Sequence, residues 1–196
     1  MIAVLFSGGI DSMLLAHQAH SDKQLGALIF VDYGQPALEQ ERAAATAWAR
    51  DHDQPLHVIR IDIAGTQERM HTGTGTDGLR ELPGRNLIML SQAANIAIQR
   101  GCDRLQYGAN AADRDYADCT PAFVHAFNEC IKTSGQCLHT EAPLVRMSKR
   151  QIIESAMRCG INIRRAWSCY QSDNGEACGA CHSCVERAQS LDGGGS

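Results

Sequence analysis

The stretch Ile2-Ala3-Val4-Leu5-Phe6-Ser7-Gly8-Gly9-Ile10-Asp11-Ser12 constrains this chain more than any other. Five apolar residues in a row, running towards two glycines, read as a buried parallel strand that enters a tight turn. The helix-compatible run Met13-Leu14-Leu15-Ala16 follows without a gap. Glycines at the turn let the backbone take positive φ and approach a ligand closely, since no Cβ intervenes. Ser7 and Ser12 add hydroxyls, and the next helix aims its free N–H groups and positive dipole end at the same point. Those are the parts of a polyphosphate cradle. Adjacent glycines followed by Asp11 exclude the Walker loop, which spaces its glycines and then requires Lys-Ser/Thr. A carboxylate beside phosphates suits Mg²⁺, which takes oxygen ligands and bridges phosphate groups.

Ser-Gly-Gly-Ile-Asp-Ser at a strand-to-helix turn resembles the PP-loop of the ATP pyrophosphatase superfamily, whose members cleave ATP between the α and β phosphates. The segments that follow suit such a fold. Leu25 to Val31 reads as a second buried strand that ends in Asp32-Tyr33-Gly34-Gln35, and Pro36 opens a helix running to about Arg50. Leu56 to Asp62 reads as a third strand. Strands alternating with helices imply right-handed crossovers and a parallel sheet, with ligands at the carboxyl ends of the strands. Ser7 to Ser12 and Asp32 to Gln35 fall at those ends.

Residues 64–83 lack apolar periodicity and contain Thr72-Gly73-Thr74-Gly75-Thr76-Asp77-Gly78, which reads as a lid near the site or as a plain surface loop. Pro83-Gly84-Arg85-Asn86 leads into an apolar helix from Leu87 to about Gln99, with Arg85 and Asn86 where an anion is welcome. A short strand over Arg104–Gly108 delivers Asn110, Asp113, Asp115, Tyr116, Asp118 and Cys119. This polar cluster reads as a substrate pocket, with a solvated loop as the alternative. Thr120 to Lys132 reads as a helix, and Ser148-Lys149-Arg150-Gln151 is a capping box that opens another, running to about Cys159. Lys149 opposes the dipole of that helix, a placement that suits a lysine with an anion to meet.

A length of 196 residues fits one domain with a small appendage, and a net charge of −4 argues against broad binding to nucleic acid or membrane surfaces. No apolar run approaches a membrane span, and no leader pattern precedes the first strand. Nine cysteines without such a leader point to a reducing cytoplasm and to metal ligation or free thiols. Cys169, Cys178, Cys181 and Cys184 follow a Cys-x8-Cys-x2-Cys-x2-Cys spacing with Gly175 and Gly179 at the turns. Four thiolates make the closed tetrahedral shell of a structural zinc, with an iron–sulfur cluster as the rival. The remaining cysteines sit at unrelated spacings, and Gly193-Gly194-Gly195-Ser196 reads as a flexible tail.

Taken together, Ser-Gly-Gly-Ile-Asp-Ser, Asp32-Tyr33-Gly34-Gln35, Pro83-Gly84-Arg85-Asn86, Gly108 to Asp113 and Trp167-Ser168-Cys169-Tyr170 with its following Cys-Gly-x-Cys-x-x-Cys resemble the 7-cyano-7-deazaguanine synthase family. The resemblance implies an α/β fold: a Rossmann-like parallel sheet of the adenine nucleotide alpha hydrolase-like type, flanked by helices, with a small C-terminal zinc-binding region. The expected organisation is a PP-loop domain over residues 1–160, a zinc-binding region over 161–192 packed on it, and the tail over 193–196.

The implied reaction converts 7-carboxy-7-deazaguanine with ammonia and ATP, through the amide, to the nitrile, releasing AMP and pyrophosphate. By position, Phe6, Ser7, Gly8, Gly9, Ile10, Asp11, Ser12, Asp32 and Tyr33 would hold ATP with its Mg²⁺. Gln35, Arg85, Asn86, Asn110, Asp113 and Asp118 would bind the base, and Asp11, Ser12 and Lys149 would act in catalysis. The four cysteines would hold zinc, and the resemblance further implies a homodimer. Met13 stands where the family usually has Thr, and Asp113 to Cys119 is one residue shorter than the family's pattern and lacks its glycine. That segment motivates an alternative in which the reaction stops at the amide or joins the deazaguanine to an amine on a partner protein, for example in anti-phage defence.

Overall fold

The computed structural model describes residues 1–63, 82, 84–170, 172–173 and 175–192. Its centre is a five-stranded, wholly parallel sheet: β1 (Ile2–Leu5), β2 (Leu25–Asp32), β3 (Leu56–Arg60), β4 (Arg104–Gln106) and β5 (His139–Glu141), in the order β3-β2-β1-β4-β5. The helices are α1 (Ile10–Ser21), α2 (Leu38–Asp51), α3 (Arg85–Gln99), α4 (Pro121–Thr133), α5 (Lys149–Arg158) and α6 (His182–Asp192). A two-stranded antiparallel ribbon, β6 (Ser172–Asp173) with β7 (Glu176–Ala177), precedes α6.

Alternation along the strands divides the core. Ile2, Val4, Phe6, Leu28 and Phe30 face α1, α2 and α5, where Leu14, Trp48 and Ile152 meet them. Ala3, Ala27, Ile29 and Leu105 face α3 and α4, where Leu90, Ala93, Ala97 and Phe127 pack. Side chains on successive strand residues point to opposite faces, so the continuous apolar runs of β1 and β2 serve both layers. Burial of these side chains, at about 1.5–3 kcal/mol each, is the main force holding the three layers together. The sequential order reverses between β1 and β4. Strands on either side of that reversal send their connections to opposite faces, which opens a crevice at their carboxyl ends.

Several boundaries differ from the sequence expectations. Helix α2 begins two residues beyond Pro36, because Pro36 and Ala37 form a turn closed by a hydrogen bond from Leu38 N–H to the Gln35 carbonyl. Strand β3 ends at Arg60, and β4 at Gln106. Strand β5 and helix α6 had no clear signal in the sequence: β5 is three residues long, and α6 carries cysteines where apolar periodicity would otherwise show. The expected lid over 64–83 lies outside the described residues except for Leu82 and the loop's far edge at Gly84, and so do Pro83 and the 193–196 tail. Among the described residues no helix is long and apolar enough to cross a membrane.

Candidate active site

The phosphate loop is built by three close approaches. Gly8 has φ +79°, and a Cβ there would stand 2.8 Å from the Ala45 nitrogen and the Glu41 carbonyl oxygen, so α2 packs directly on the turn. Gly108, just beyond β4, lets the start of α1 come near: its Cβ would lie 2.9 Å from the Asp11 Cβ. Trp167 then donates its backbone N–H to the Gly8 carbonyl at 3.0 Å, tying the C-terminal segment to the loop. Within the turn, Ser7 Oγ lies 3.4 Å from Ser12 Oγ, Ser12 Oγ donates to the Gly9 carbonyl at 3.0 Å, and Gly9 N–H donates to Ser7 Oγ at 3.3 Å.

Asp11 sits in the first turn of α1 and receives Lys149 Nζ on Oδ2 at 2.6 Å. Lys149 is the first residue of α5, which the reciprocal Ser148–Gln151 capping box starts. Burial works against its ammonium, but Asp11 more than offsets this and raises the pKa above the ordinary lysine value. Asp11 Oδ1 is buried and has no hydrogen-bond partner among the described residues. An orphaned carboxylate oxygen beside a phosphate-sized cradle fits an oxygen-seeking divalent cation carried by a nucleotide.

A cleft of about 270 Å³ extends from this loop over the ends of β1 and β4. Ser7, Gly9, Ile10, Asp11, Ser12, Arg85, Asn86, Asn110, Asp113, Asp118 and Lys149 all line it. Asn110 and Asp113 cap their own 3-10 turn reciprocally, with Asn110 N–H donating to Asp113 Oδ2 at 3.0 Å. Burial raises the Asp113 carboxyl. Asp118 Oδ2 accepts from the Asn86 backbone N–H at 3.0 Å, so a carboxylate caps the positive start of α3. The Asn86 amide donates to Cys119 Sγ at 3.2 Å. Burial pushes the Cys119 thiol up to about 12, which keeps it neutral and un-nucleophilic.

Four of the expected residues stand elsewhere. Phe6 is fully buried and packs on Trp48, with ring centroids 5.3 Å apart, so its side chain points into the core. Asp32 uses Oδ1 to accept from Gly34 N–H at 3.1 Å, which holds the turn after β2. Gln35 is buried: its amide donates to the Val31 carbonyl and to Glu41 Oε2, while its Oε1 accepts from Tyr33 N–H. Tyr33 packs with Ile63 and Leu82, and its phenol is hydrogen-bonded to Arg85 and pushed up to about 12 by burial. The turn after β2 uses the polar groups of Asp32 and Gln35, and neither these four residues nor Gly8, another expected ATP contact, line the cleft.

The cleft also holds residues that sequence reasoning did not single out. Glu41 enters from α2, and burial pushes its carboxyl up to about 7. Trp167, Ser168 and Tyr170 come from the segment before the cysteines, where the motif marked them only as part of a resemblance. Ser183 and Glu186 come from α6. The Tyr170 phenol hydrogen-bonds Ser183 and is raised by burial, and Glu186 lies near enough to Lys149 for their charges to act on one another.

The four cysteines meet. Their Sγ atoms all lie within 4.8 Å of one another, with Cys169 and Cys178 at 3.4 Å. Sulfurs this close could surround one ion at about 2.3 Å each, whereas a cube of four irons would need them farther apart. The N–H groups of Ala180 and Cys181 lower the Cys178 thiol, which favours the thiolate that a metal requires. Arg187 fastens α6 in place, donating to the carbonyls of Ala166 at 2.8 Å and Ile163 at 2.6 Å and to Ser168 Oγ at 3.1 Å.

A family model described as queuosine biosynthesis protein QueC matches residues 1–194. The chain belongs to the QueC family. Among its relatives is the 7-cyano-7-deazaguanine synthase of Nitrosococcus oceani, 35% identical over 95% of this chain and 91% of that protein. That of Cellvibrio japonicus is 34% identical over 98% and 93%. Solved structures share the QueC fold at lower identity. NMN synthetase from Francisella tularensis superposes with a TM-score of 0.56 at 19% identity, covering 98% of this chain and 76% of that one. The NH3-dependent NAD synthetase of Campylobacter jejuni gives 0.53 at 14%, covering 84% and 67%. These likenesses are of fold: a parallel sheet flanked by helices.

Proposed function

We propose that the cleft is the active site of an ATP-dependent C–N ligase that converts 7-carboxy-7-deazaguanine and ammonia, through the amide, to 7-cyano-7-deazaguanine. The observation that carries this reading is Asp11, with Oδ2 on Lys149 at 2.6 Å and Oδ1 buried without a partner among the described residues, at the mouth of the Ser7–Ser12 loop. Membership of a family whose relatives bear the synthase name supports the choice of acid and amine.

In this reading the loop N–H groups, Ser7 and Ser12 hold the β and γ phosphates, and Asp11 Oδ1 takes the Mg²⁺ that accompanies ATP. That ion would supply neutralising charge to the phosphate oxygens. The substrate carboxylate attacks the α phosphorus, and the bond to the β-phosphate oxygen breaks. Lys149, fixed by Asp11, faces the charge that grows on the α phosphate in the transition state. Ammonia then attacks the acyl carbon and loses a proton, and the C–O bond to AMP breaks to leave the amide. A second ATP takes the amide oxygen in the same way, pyrophosphate leaving and the amide nitrogen giving up one of its two protons. Loss of the remaining N–H proton with the second AMP leaves the nitrile, and each AMP carries away one oxygen of the original carboxylate. The four cysteines would hold one zinc that keeps α6 against the cleft, with no open position for chemistry.

Incubating the protein with ATP, Mg²⁺, 7-carboxy-7-deazaguanine and ammonium, with mass spectrometry and pyrophosphate followed together, tests the reading. Nitrile with two pyrophosphates per turnover is the expected result. Pyrophosphate with only an amide or a protein adduct would overturn the nitrile end point while keeping the adenylation.

A further inference from the structure

Five carboxylates line the cleft, and four have visible employment. Asp11 holds Lys149, Glu186 lies beside the same lysine, Asp113 caps a 3-10 turn, and Asp118 caps α3. Glu41 remains. Its backbone lies against the phosphate loop, and its side chain lines the same cleft as Arg85, whose charge acts on the carboxylate.

Glu41 is also held in position. Gln35 donates to the Val31 carbonyl at 3.2 Å and to Glu41 Oε2 at 2.9 Å, and its own Oε1 is pinned by Tyr33 N–H at 3.0 Å. A buried amide with all these bonds made fixes one carboxylate oxygen. Among the described residues no hydrogen bond is made to Oε1, which leaves that oxygen for a ligand in the cleft. Arg85 completes the pair as a fork of N–H donors.

Resting on the ligase reading above, we infer that Glu41 is the residue that selects a 2-amino-4-oxo base, accepting hydrogen bonds from its ring N–H and 2-amino group while Arg85 donates to its oxo group. A guanine-type edge presents two adjacent donors and one acceptor, and a carboxylate beside a guanidinium presents the complement. Gln35 thereby becomes a positioning residue, acting on the base through Glu41.

Burial holds the Glu41 carboxyl up to about 7, against the opposing pull of the Gln35 hydrogen bond and of Arg85 from α3; among the described residues the Tyr33 phenol at the end of β2 also acts on it. The accepting form is therefore the one populated at higher pH.

The test uses the full-length, metal-loaded protein and ATP–pyrophosphate exchange with two acids, 7-carboxy-7-deazaguanine and the same acid without its 2-amino group. Wild type should prefer the acid that bears the 2-amino group by about 10- to 100-fold in kcat/KM, the size of one hydrogen bond to a charged group. In Glu41→Gln and Glu41→Ala that preference should collapse towards one, with KM for ATP unchanged. In wild type the same preference should grow as pH rises through about 7. That needs no variant, so a misfolded one cannot hide the answer.

Variants that keep the preference, or a preference flat in pH, would overturn the assignment while leaving the ligase reading intact. A change in KM for ATP in place of the preference would also overturn it, because Glu41 would then read the adenine. Failure of wild type to exchange with either acid would overturn the ligase reading and this assignment together.

Discussion

Replacing Lys149 by Met leaves a carboxylate with no partner at all. In the native protein Lys149 and Asp11 side chains are 9% and 20% exposed, and Asp11 Oδ1 already lacks a hydrogen bond among the described residues. Removing one member of a buried pair costs about 3–5 kcal/mol, because the surviving charge stays desolvated. The open cleft gives Asp11 some access to water, so a loss of about 3 kcal/mol is expected for Lys149→Met. In a chain of this size that lowers Tm by roughly 6–12 °C. Asp11→Asn should cost a similar amount for the mirror reason, a buried ammonium without its counter-charge. The double variant removes both charges and should recover about 2 kcal/mol or more relative to the sum.

Chemistry should behave differently. Pyrophosphate release should fall at least ~100-fold in each single variant and stay low in the double, since the charge opposite the α phosphate is absent. Denaturant unfolding of the four proteins without nucleotide, alongside pyrophosphate release, measures both quantities. Stability losses that add to within about 0.5 kcal/mol would refute the claim that the two residues form one coupled unit. A double variant that regains activity with its stability would refute the catalytic role of the pair.

Gly108→Ala places a Cβ 2.9 Å from the Asp11 Cβ, so it should destabilise by about 1–3 kcal/mol and raise KM for ATP; an unchanged KM would show that the loop does not feel this contact. Glu41 is raised in the folded protein from 4.5 to about 7, so the unfolded chain ionises first as pH rises. The stability that this group contributes is therefore present below about pH 4.5 and lost by about pH 7, and Glu41→Gln should flatten that slope in pH-dependent unfolding. Metal analysis of purified protein should find one zinc per chain, and iron with visible absorption would refute the single-ion reading of the cysteine cluster. Stripping that metal should expose the 161–192 region to protease before the sheet, and simultaneous cleavage of both would show that the two do not melt separately.

The phosphate loop and the cysteine cluster were legible because each depends on local chemistry: adjacent glycines at a strand end, and thiolates two residues apart. The central strands were legible because β1 and β2 are buried on both faces and read as unbroken apolar runs. Strand β5 was not, since three residues carry no period and pairing with β4 alone makes them a strand. Asp32 and Gln35 share a strand end with the loop, but sequence gives no way to tell a polar group aimed at ligand from one spent on its own turn. Glu41 is the converse case. It looks like one more acid on a charged helix, and its burial comes from Gly8 drawing α2 against the loop.

The bond from Trp167 N–H to the Gly8 carbonyl has a consequence for how the chain is made. Along the chain the phosphate loop is made long before the strut that braces it, and among the described residues four strands and five α-helices lie between them. The sheet can assemble in between, from strands that are complete once β5 has left the exit tunnel. A nascent chain can thus hold its paired strands while the loop after β1 still waits for the bond from Trp167 N–H.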